Sequence, residues 1–203
     1  LSNNFPKAYD YLVQHKNTLL QRMDSRKEFS ENKSWYALTR FGKYSTFHKA
    51  KIVSPGEVKN NKFALDETGS GFSCARVFAI TAESINVDLK ILLGVLNSKL
   101  IEFYLHSIAP LKQGGYYSYS STFIDSIPMP AQIEDKDSTT ICELLDSVDA
   151  LLKNNKELLI AKSDGAQEKI TRNINHYEEK VNSLVYQLYG LTDEEIRIVE
   201  SGS

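Results

Sequence analysis

VDLKILLGVLNSKLIEFYLHSI, residues 87–108, is the segment around which the rest of the chain must pack. It is apolar almost all round, as is typical of buried helices, but Asn97 and Ser98 interrupt it. Because Asn and Ser favour the N-cap position, the pattern predicts two consecutive helices that meet at this pair. We expect these helices to form the hydrophobic centre of the domain.

Three short β-like runs precede this segment along the chain: AKIVSP (50–55), NKFALD (61–66) and CARVFAIT (74–81). Turn-forming residues separate the runs, and no helical pattern lies between them. Strands that follow one another so closely favour antiparallel pairing. We therefore expect an antiparallel sheet here.

A tyrosine-rich stretch, LKQGGYYSYSSTFIDSIPMP, follows the apolar segment and covers residues 111–130. The two glycines predict a turn. We expect a strand after the turn that continues through Phe123 and Ile127. Pro128 and Pro130 would end it, because proline cannot donate a hydrogen bond to a neighbouring strand.

The N-terminal segment FPKAYDYLVQHKNTLLQRM, residues 5–23, repeats apolar residues at helical spacing and has Pro6 at the expected helix start. It predicts one amphipathic helix. Residues 26–42, RKEFSENKSWYALTRFG, lose this rhythm and mix basic with aromatic residues. We interpret them as a surface loop, which is a common location for contacts with a partner.

The last third of the chain carries two apolar stripes at helical spacing, which predict an antiparallel helical hairpin around the sequence SDGAQ. Gly190 is the expected C-cap of the second helix. Thr192 and Glu195 match a capping box and predict a last short helix. Thr140 and Glu143 match a capping box at the start of the hairpin. The stripes are Ile141, Leu144, Val148 and Leu151 on the first helix and Ile170, Ile174, Tyr177, Val181, Leu184 and Leu188 on the second.

These patterns together predict an α+β fold, with a mixed, mainly antiparallel small sheet and flanking helices, followed by the C-terminal antiparallel helical hairpin. A charged linker, AQIEDKDS, follows Pro130. We therefore expect an α+β domain over residues 1–131 and a helical tail over residues 132–203. The chain begins at Leu1 rather than Met, which we interpret as a sign of a fragment from a longer protein.

The net charge of −2 conceals an uneven distribution of charged residues. Residues 1–63 carry 12 Lys and Arg against 5 Asp and Glu, whereas residues 132–203 carry 8 against 15. A polyanionic partner is therefore expected to contact the N-terminal part. The alternative is that charge is simply uneven along solvated faces.

Several classes of function lack the residues that they need. No apolar run approaches the roughly 18 residues of a membrane helix, and no basic start with an apolar run marks a signal peptide, so we predict no membrane partner. Cys74 and Cys142 are too isolated for a disulfide framework, which favours a reducing cytoplasm. The four histidines have no second ligand at metal spacing.

Motifs for catalysis are also missing from the sequence. The chain has no Pro-Pro pair and hence no Asn-Pro-Pro-aromatic loop, and it has no glycine loop for a methyl donor. It contains no G-x-S-x-G elbow or P-loop. Three Glu-x-Lys tripeptides match part of a nuclease site, but none follows an acidic strand, so we predict no catalytic and no metal-ligating residue. The tripeptides are Glu31-Asn32-Lys33, Glu134-Asp135-Lys136 and Glu178-Glu179-Lys180.

With catalysis unsupported, binding is the class of function that the residues still favour. Basic residues interleaved with aromatic ones suit phosphate contacts combined with stacking on bases. Lys112 and Gln113 add a charge and an amide that can hydrogen-bond an adenine edge. The two glycines that follow allow close approach of the backbone. Tyr117 and Tyr119 fall on one strand face, so either core packing or contact with a partner is open to them. The candidate DNA-binding residues are Arg22, Lys27, Trp35, Tyr36, Arg40, Lys43, Lys51, Lys112, Gln113, Gly114, Gly115, Tyr116 and Tyr117.

The chain also resembles a known family in the order of its segments. WYALTR, KIVSP, FALD, ILLGVLNSKLIEFYL, GGYYSYSSTFIDSIPMP and VYQLYGLTDEEIRIVE follow one another as in the TaqI-like C-terminal specificity domain. That domain belongs to type IIG restriction-modification enzymes and adenine-specific DNA methyltransferases. The helix text LLGVLNSKLIEFYL and the block that begins GGYY are the most specific parts of the resemblance.

The resemblance implies a non-catalytic target-recognition domain that holds double-stranded DNA against a methyltransferase catalytic domain of the same parent chain. It implies no cofactor in this fragment, and S-adenosylmethionine for the parent, with Mg²⁺ and a fused endonuclease as open alternatives. The implied contact region is the loop around Trp35, Tyr36 and Arg40, together with Lys112 to Tyr117. The alternative hypothesis is a protein-interaction domain that dimerises or docks a partner through the acidic hairpin.

Overall fold

The computed structural model describes most of the chain, in two compact units, Leu1–Tyr44 and Ser45–Ser203. The predicted division near residue 131 stays a prediction. The described residues are 1–24, 27–28, 35–37, 48–70, 77–81 and 87–202.

The first unit begins with two short helices, α1 (Pro6–Gln14) and α2 (Lys16–Leu20), where the sequence predicted one. Pro6 opens α1 as expected, because proline has no N–H to leave unpaired in the first turn. The helix breaks at His15 and contains no fully buried side chain, so core packing does not hold the two segments in line. Two short strands, β1 (Met23–Asp24) and β2 (Lys27–Glu28), then pair antiparallel.

The second unit contains the predicted antiparallel sheet. Its central strand β3 (Lys51–Pro55) pairs with β5 (Ala64–Asp66) on one side and with β6 (Val77–Ile80) on the other. Ile52, on the central strand, is fully buried. The mainly antiparallel α+β class predicted from the sequence is confirmed.

A second small sheet orders its strands β4 (Glu57–Val58), β8 (Tyr116–Ser118) and β7 (Leu111–Lys112). Gly56 alone separates β3 from β4, so the chain passes directly from one sheet to the other. The pairing of β4 with β8 is antiparallel and joins segments almost sixty residues apart in sequence.

The predicted strand through Phe123 and Ile127 is wrong. The strand β8 stops at Ser118, and a one-turn helix, α5 (Ser121–Ile124), follows it. The Ser120 carbonyl accepts from the N–H groups of Phe123 and Ile124, at 3.1 and 3.0 Å. Ser and Thr favour helix starts, which is why the Ser-Ser-Thr cluster ends the strand.

The apolar segment forms α3 (Leu89–Leu96) and α4 (Lys99–Ile108), which meet at an angle of 62°. Ser98 caps α4 by accepting from the Ile101 N–H. Asn97 instead bonds both backbone groups of Phe63, at 3.0 and 2.9 Å. The prediction of two helices that meet at this pair is confirmed.

The C-terminal hairpin consists of α6 (Thr139–Ile160) and α7 (Asp164–Tyr189). An ion pair between Lys180 and Glu143 at 3.2 Å links the start of α6 to the last half of α7, as the antiparallel arrangement requires. The capping box of Thr140 and Glu143 is wrong, because the N-cap is Ser138, two residues before Thr140, and Glu143 pairs with Lys180. Gly190 is the predicted left-handed C-cap, with φ of 67°.

The last helix, α8 (Asp193–Gly202), begins at the predicted capping box. The Glu195 carboxylate accepts from the Thr192 N–H at 2.8 Å, and Thr192 Oγ1 accepts from the Glu195 N–H at 3.3 Å. The hydrogen bonds that the Thr192 N–H and hydroxyl donate to the carboxylate hold the pKa of Glu195 below its ordinary value. None of the described helices is by itself long and apolar enough to cross a membrane, and α3 and α4 pass that test only together, as a bent pair.

Candidate nucleic-acid interface

The most exposed structured element among the candidate residues is a hairpin formed by β7, a turn and β8, residues 111–118, which we call the recognition hairpin. Gly114 and Gly115 have φ of +83° and +76°, a region that other residues rarely adopt. A Cβ added to Gly115 would meet no atom within 4 Å, so the backbone conformation, rather than space, requires glycine there. Among the described residues, the space beside Gly115 is therefore open.

Two polar side chains precede this turn. Lys112 Nζ lies 2.8 Å from Glu57 Oε1, and both side chains are partly exposed. Such a surface pair contributes only about 0–1 kcal/mol, so the ammonium group can exchange this partner for a phosphate at small cost. Gln113 is exposed.

The three tyrosines of this region divide by burial. Tyr119 is 2% exposed, donates its hydroxyl to Asn61 Oδ1 at 2.6 Å, and has its pKa raised by burial. Tyr117 is half-buried and stacks on the His106 ring. Tyr116 is 43% exposed. Tyr116 is therefore the tyrosine that faces outward, and Tyr119 belongs to the core.

Lys59 joins this surface, although it is not among the residues predicted from the sequence. Its ammonium group lies 5.2 Å from the centre of the Tyr116 ring, a cation–π contact. The contact arises because β4 pairs with β8, which brings Val58 opposite Tyr117. No local sequence signal marks Lys59, since this pairing joins distant segments.

In the first unit, Arg22 is engaged with backbone carbonyls. Its Nη2 donates to the Trp35 and Ala37 carbonyls at 2.8 and 3.0 Å, and its Nε donates to Leu19 O at 2.8 Å. The guanidinium group therefore fixes residues 35–37 against the end of α2. This is a structural role for a residue that the sequence predicted to be a DNA contact.

Trp35 and Tyr36 form an aromatic cluster with Tyr9 of α1. The ring centres lie 5.3–6.0 Å apart in edge-to-face geometry. Lys16 lies 5.7 Å from the Trp35 ring. All three aromatic residues are half-buried, so each keeps part of its surface accessible.

Three further candidates are described only in part or not at all. Lys27 lies on β2, where its backbone pairs with Asp24. Arg40 and Lys43 lie outside the described residues.

Lys51 does not lie on a surface. It is fully buried, and its Nζ contacts Asp66 Oδ2 at 2.6 Å and the Ser70 carbonyl at 2.9 Å. The hydrogen bond from Lys51 holds the pKa of Asp66 at about 2, below its ordinary value of 3.8. Because contact with DNA would require breaking this internal pair, we leave Lys51 out of the candidate interface.

Metal-ligating side chains do not cluster in the part of the chain that the structure describes. No group of three or more His, Cys, Asp or Glu residues there is arranged to hold an ion. Cys142 is a free, exposed thiol.

Comparison with known proteins agrees with the resemblance seen in the sequence. A family model described as "TaqI-like C-terminal specificity domain" matches residues 7–129. The chain is also 22% identical over 198 residues to "Type II methyltransferase M.BstVI" of Geobacillus stearothermophilus. The match covers 98% of this chain but 30% of that relative, so the chain spans less than a third of the relative's length. The chain belongs to the family of TaqI-like C-terminal specificity domains.

Proposed function

We propose that this chain recognises a short sequence in duplex DNA on behalf of a DNA methyltransferase. The observation that carries the proposal is the recognition hairpin, which presents Lys112, Gln113 and Tyr116 around a turn of two left-handed glycines. Membership of a specificity-domain family supports the same function.

The chemistry of the hairpin suits the major groove. A two-stranded β-ribbon fits into this groove, and an exposed amide such as that of Gln113 can pair with an adenine edge. Lys112 and Lys59 supply positive charge for contacts with phosphates. The glycines let the backbone approach closely, which a side chain at the same positions would prevent.

The first unit carries further candidate contacts to DNA. Trp35 and Tyr36 are each partly exposed, and Arg40 and Lys43 follow them in sequence. Arg22 contributes by holding residues 35–37 in place. Lys27 stays in the proposal as a phosphate contact.

We assign catalysis to the rest of the parent protein, as an adenine-specific methyltransferase that uses S-adenosylmethionine. This chain does not fit the methyl donor, since it has neither a glycine loop for the donor nor an Asn-Pro-Pro-aromatic loop for a flipped base. The full-length protein should therefore place N6-methyladenine within one short motif when expressed in cells that lack adenine methylation. Sequencing that detects modified bases tests this, and methylated cytosine instead of adenine would refute the adenine assignment.

DNA binding by the chain itself is tested by titrating a mixed-sequence duplex at several salt concentrations. The variant Lys59→Gln/Lys112→Gln should lower the slope of log K against log salt by about 0.9 for each phosphate that is no longer neutralised. The matched control is Lys153→Gln/Lys156→Gln, which removes two exposed charges from α6. Equal effects of the two double variants, or no duplex binding at low salt, would contradict the proposal.

The alternative function is dimerisation through the apolar stripes of the acidic hairpin. Among the described residues, neither stripe is free to contact a second copy of the chain. Val148 and Val181 are 2% and 5% exposed and belong to the same buried cluster as residues of α3. The stripes are therefore used within the chain. Sedimentation that shows a stable dimer would reopen this alternative.

A further inference from the structure

A ring contact joins the recognition hairpin to the helical core. His106, in the last turn of α4, stacks on Tyr117 of β8 with ring centres 3.8 Å apart and ring planes 9° from parallel. Tyr117 is on the central strand of its sheet, opposite Val58 on one side and Leu111 on the other. The contact therefore lies at the base of the hairpin, two residues from Gly115.

The His106 ring is not oriented by a hydrogen bond from its Nε2. This atom is buried and, among the described residues, has no hydrogen-bond partner. Buried polar atoms are nearly always paired, so an unpaired one requires an explanation. The near-parallel stack on Tyr117 is the observed contact that holds the plane of the imidazole, and it does so without using Nε2.

The helix that carries His106, α4, is packed into the core. Ile101 and Leu105 of α4 are 1% and 0% exposed, so one face of the helix lies in the core. The turn above it, by contrast, is not packed: Gly114 and Gly115 are exposed, and a Cβ added to Gly115 would meet no neighbouring atom among the described residues. The direction in which the turn points is consequently set where β8 is anchored.

We propose that His106 is a positioning residue for DNA recognition: its ring, stacked on Tyr117, fixes the recognition hairpin and thereby aims Lys112, Gln113 and Tyr116. The inference rests on the proposed function for its DNA consequence, but the positioning of the hairpin is measurable without DNA. The residue does not touch DNA itself and acts through Tyr117.

The first experiment measures amide hydrogen exchange in the recognition hairpin of the full chain. His106→Ala should speed exchange across residues 111–118 by about two- to tenfold, the factor expected when one aromatic pair is removed, and leave α7 unchanged. His106→Phe keeps a flat ring on Tyr117 and should exchange like the unmodified chain. Unchanged exchange in His106→Ala, or equal acceleration in His106→Phe, would overturn the proposal.

The second experiment selects preferred duplexes from a randomised library and compares affinity for the selected motif with affinity for a scrambled one. The ratio should fall about two- to tenfold in His106→Ala and recover in His106→Phe. A ratio that is unchanged in His106→Ala would overturn the role in recognition. Failure of the unmodified chain to select any motif would refute the proposed function instead, and the exchange data would still decide whether His106 positions the hairpin.

Discussion

At the scale of single residues, Lys51 and Asp66 form an ion pair in which the lysine side chain is fully buried. The ammonium group lies inside the second unit, while Asp66 also accepts hydrogen bonds from the backbone of Thr68 and Ser70. The pair therefore closes the turn at residues 66–70 onto the start of β3. Gly69 fits this turn because its φ is +66° and its Cα faces the His48 carbonyl.

The pair makes stability depend on pH in the acid range. The pKa of Asp66 is about 2 in the folded chain against an ordinary value of 3.8, so its stabilising contribution is present above pH 3.8 and is lost as the pH falls toward 2. Thermal melts at stepped pH should show this loss. The variant Asp66→Asn should melt several degrees lower at neutral pH and depend less on pH between these values.

Lys51→Met is the complementary change, and it should also lower Tm by several degrees, because it leaves the Asp66 carboxylate without its cation. Lys62→Met removes a charge from an exposed side chain and serves as the control. An equal Tm for the two variants would show that the internal pair does not stabilise the turn.

At the scale of elements, sequence reasoning succeeded at two local signals. Asn97 and Ser98 marked the meeting of α3 and α4, and Thr192 with Glu195 marked the start of α8. It failed where contacts between residues distant in sequence determine the role of a side chain. The sequence does not distinguish Lys51 from an exposed basic residue, because only folding brings its partner Asp66 beside it. Lys59 likewise contacts Tyr116 only because β4 pairs with β8.

The packing of α3 against α6 gives a prediction at the same scale. A Cβ on Gly94 would lie 2.7 Å from Val148 Cγ2 and 3.2 Å from Leu144 Cδ1, and both neighbours are buried. Gly94→Ala should therefore destabilise the chain by about 1–3 kcal/mol, as measured by urea unfolding. Adding Val148→Ala should restore part of the stability.

Gly165 is the matched control for this change. It lies in the first turn of α7, where a Cβ would meet no atom within 4 Å. Gly165→Ala should be neutral or stabilise by up to about 1 kcal/mol, because alanine favours helix more than glycine does. Destabilisation by both variants to the same extent would show that packing against Val148 is not the cause.

At the scale of the whole molecule, the two units differ in what holds them. The buried apolar cluster extends from Ile52 to Leu188, entirely within the second unit. The helices of the first unit contain no fully buried side chain. Residues 1–44 carry eight Lys and Arg against four Asp and Glu, so they add net positive charge to the chain.

Removal of residues 1–44 should therefore leave a folded protein that binds DNA more weakly. We expect the shortened chain to unfold cooperatively with little change in Tm, since its core is intact. Its duplex affinity should depend less steeply on salt, because fewer cations face phosphates. Loss of cooperative unfolding would show that the first unit completes the core.

The exposed turn of the recognition hairpin has a consequence for how such a protein acquires a new target. Residues 111–116 are all exposed, whereas the residues that link this region to the core, Tyr117 and Tyr119, lie beyond them. Polar substitutions at Lys112 and Gln113 should change the free energy of unfolding by no more than about 0.5 kcal/mol. Under the proposed function, the side chains of the turn are thus interchangeable on a constant frame, so specificity is able to diverge among descendants at a folding cost of no more than about 0.5 kcal/mol.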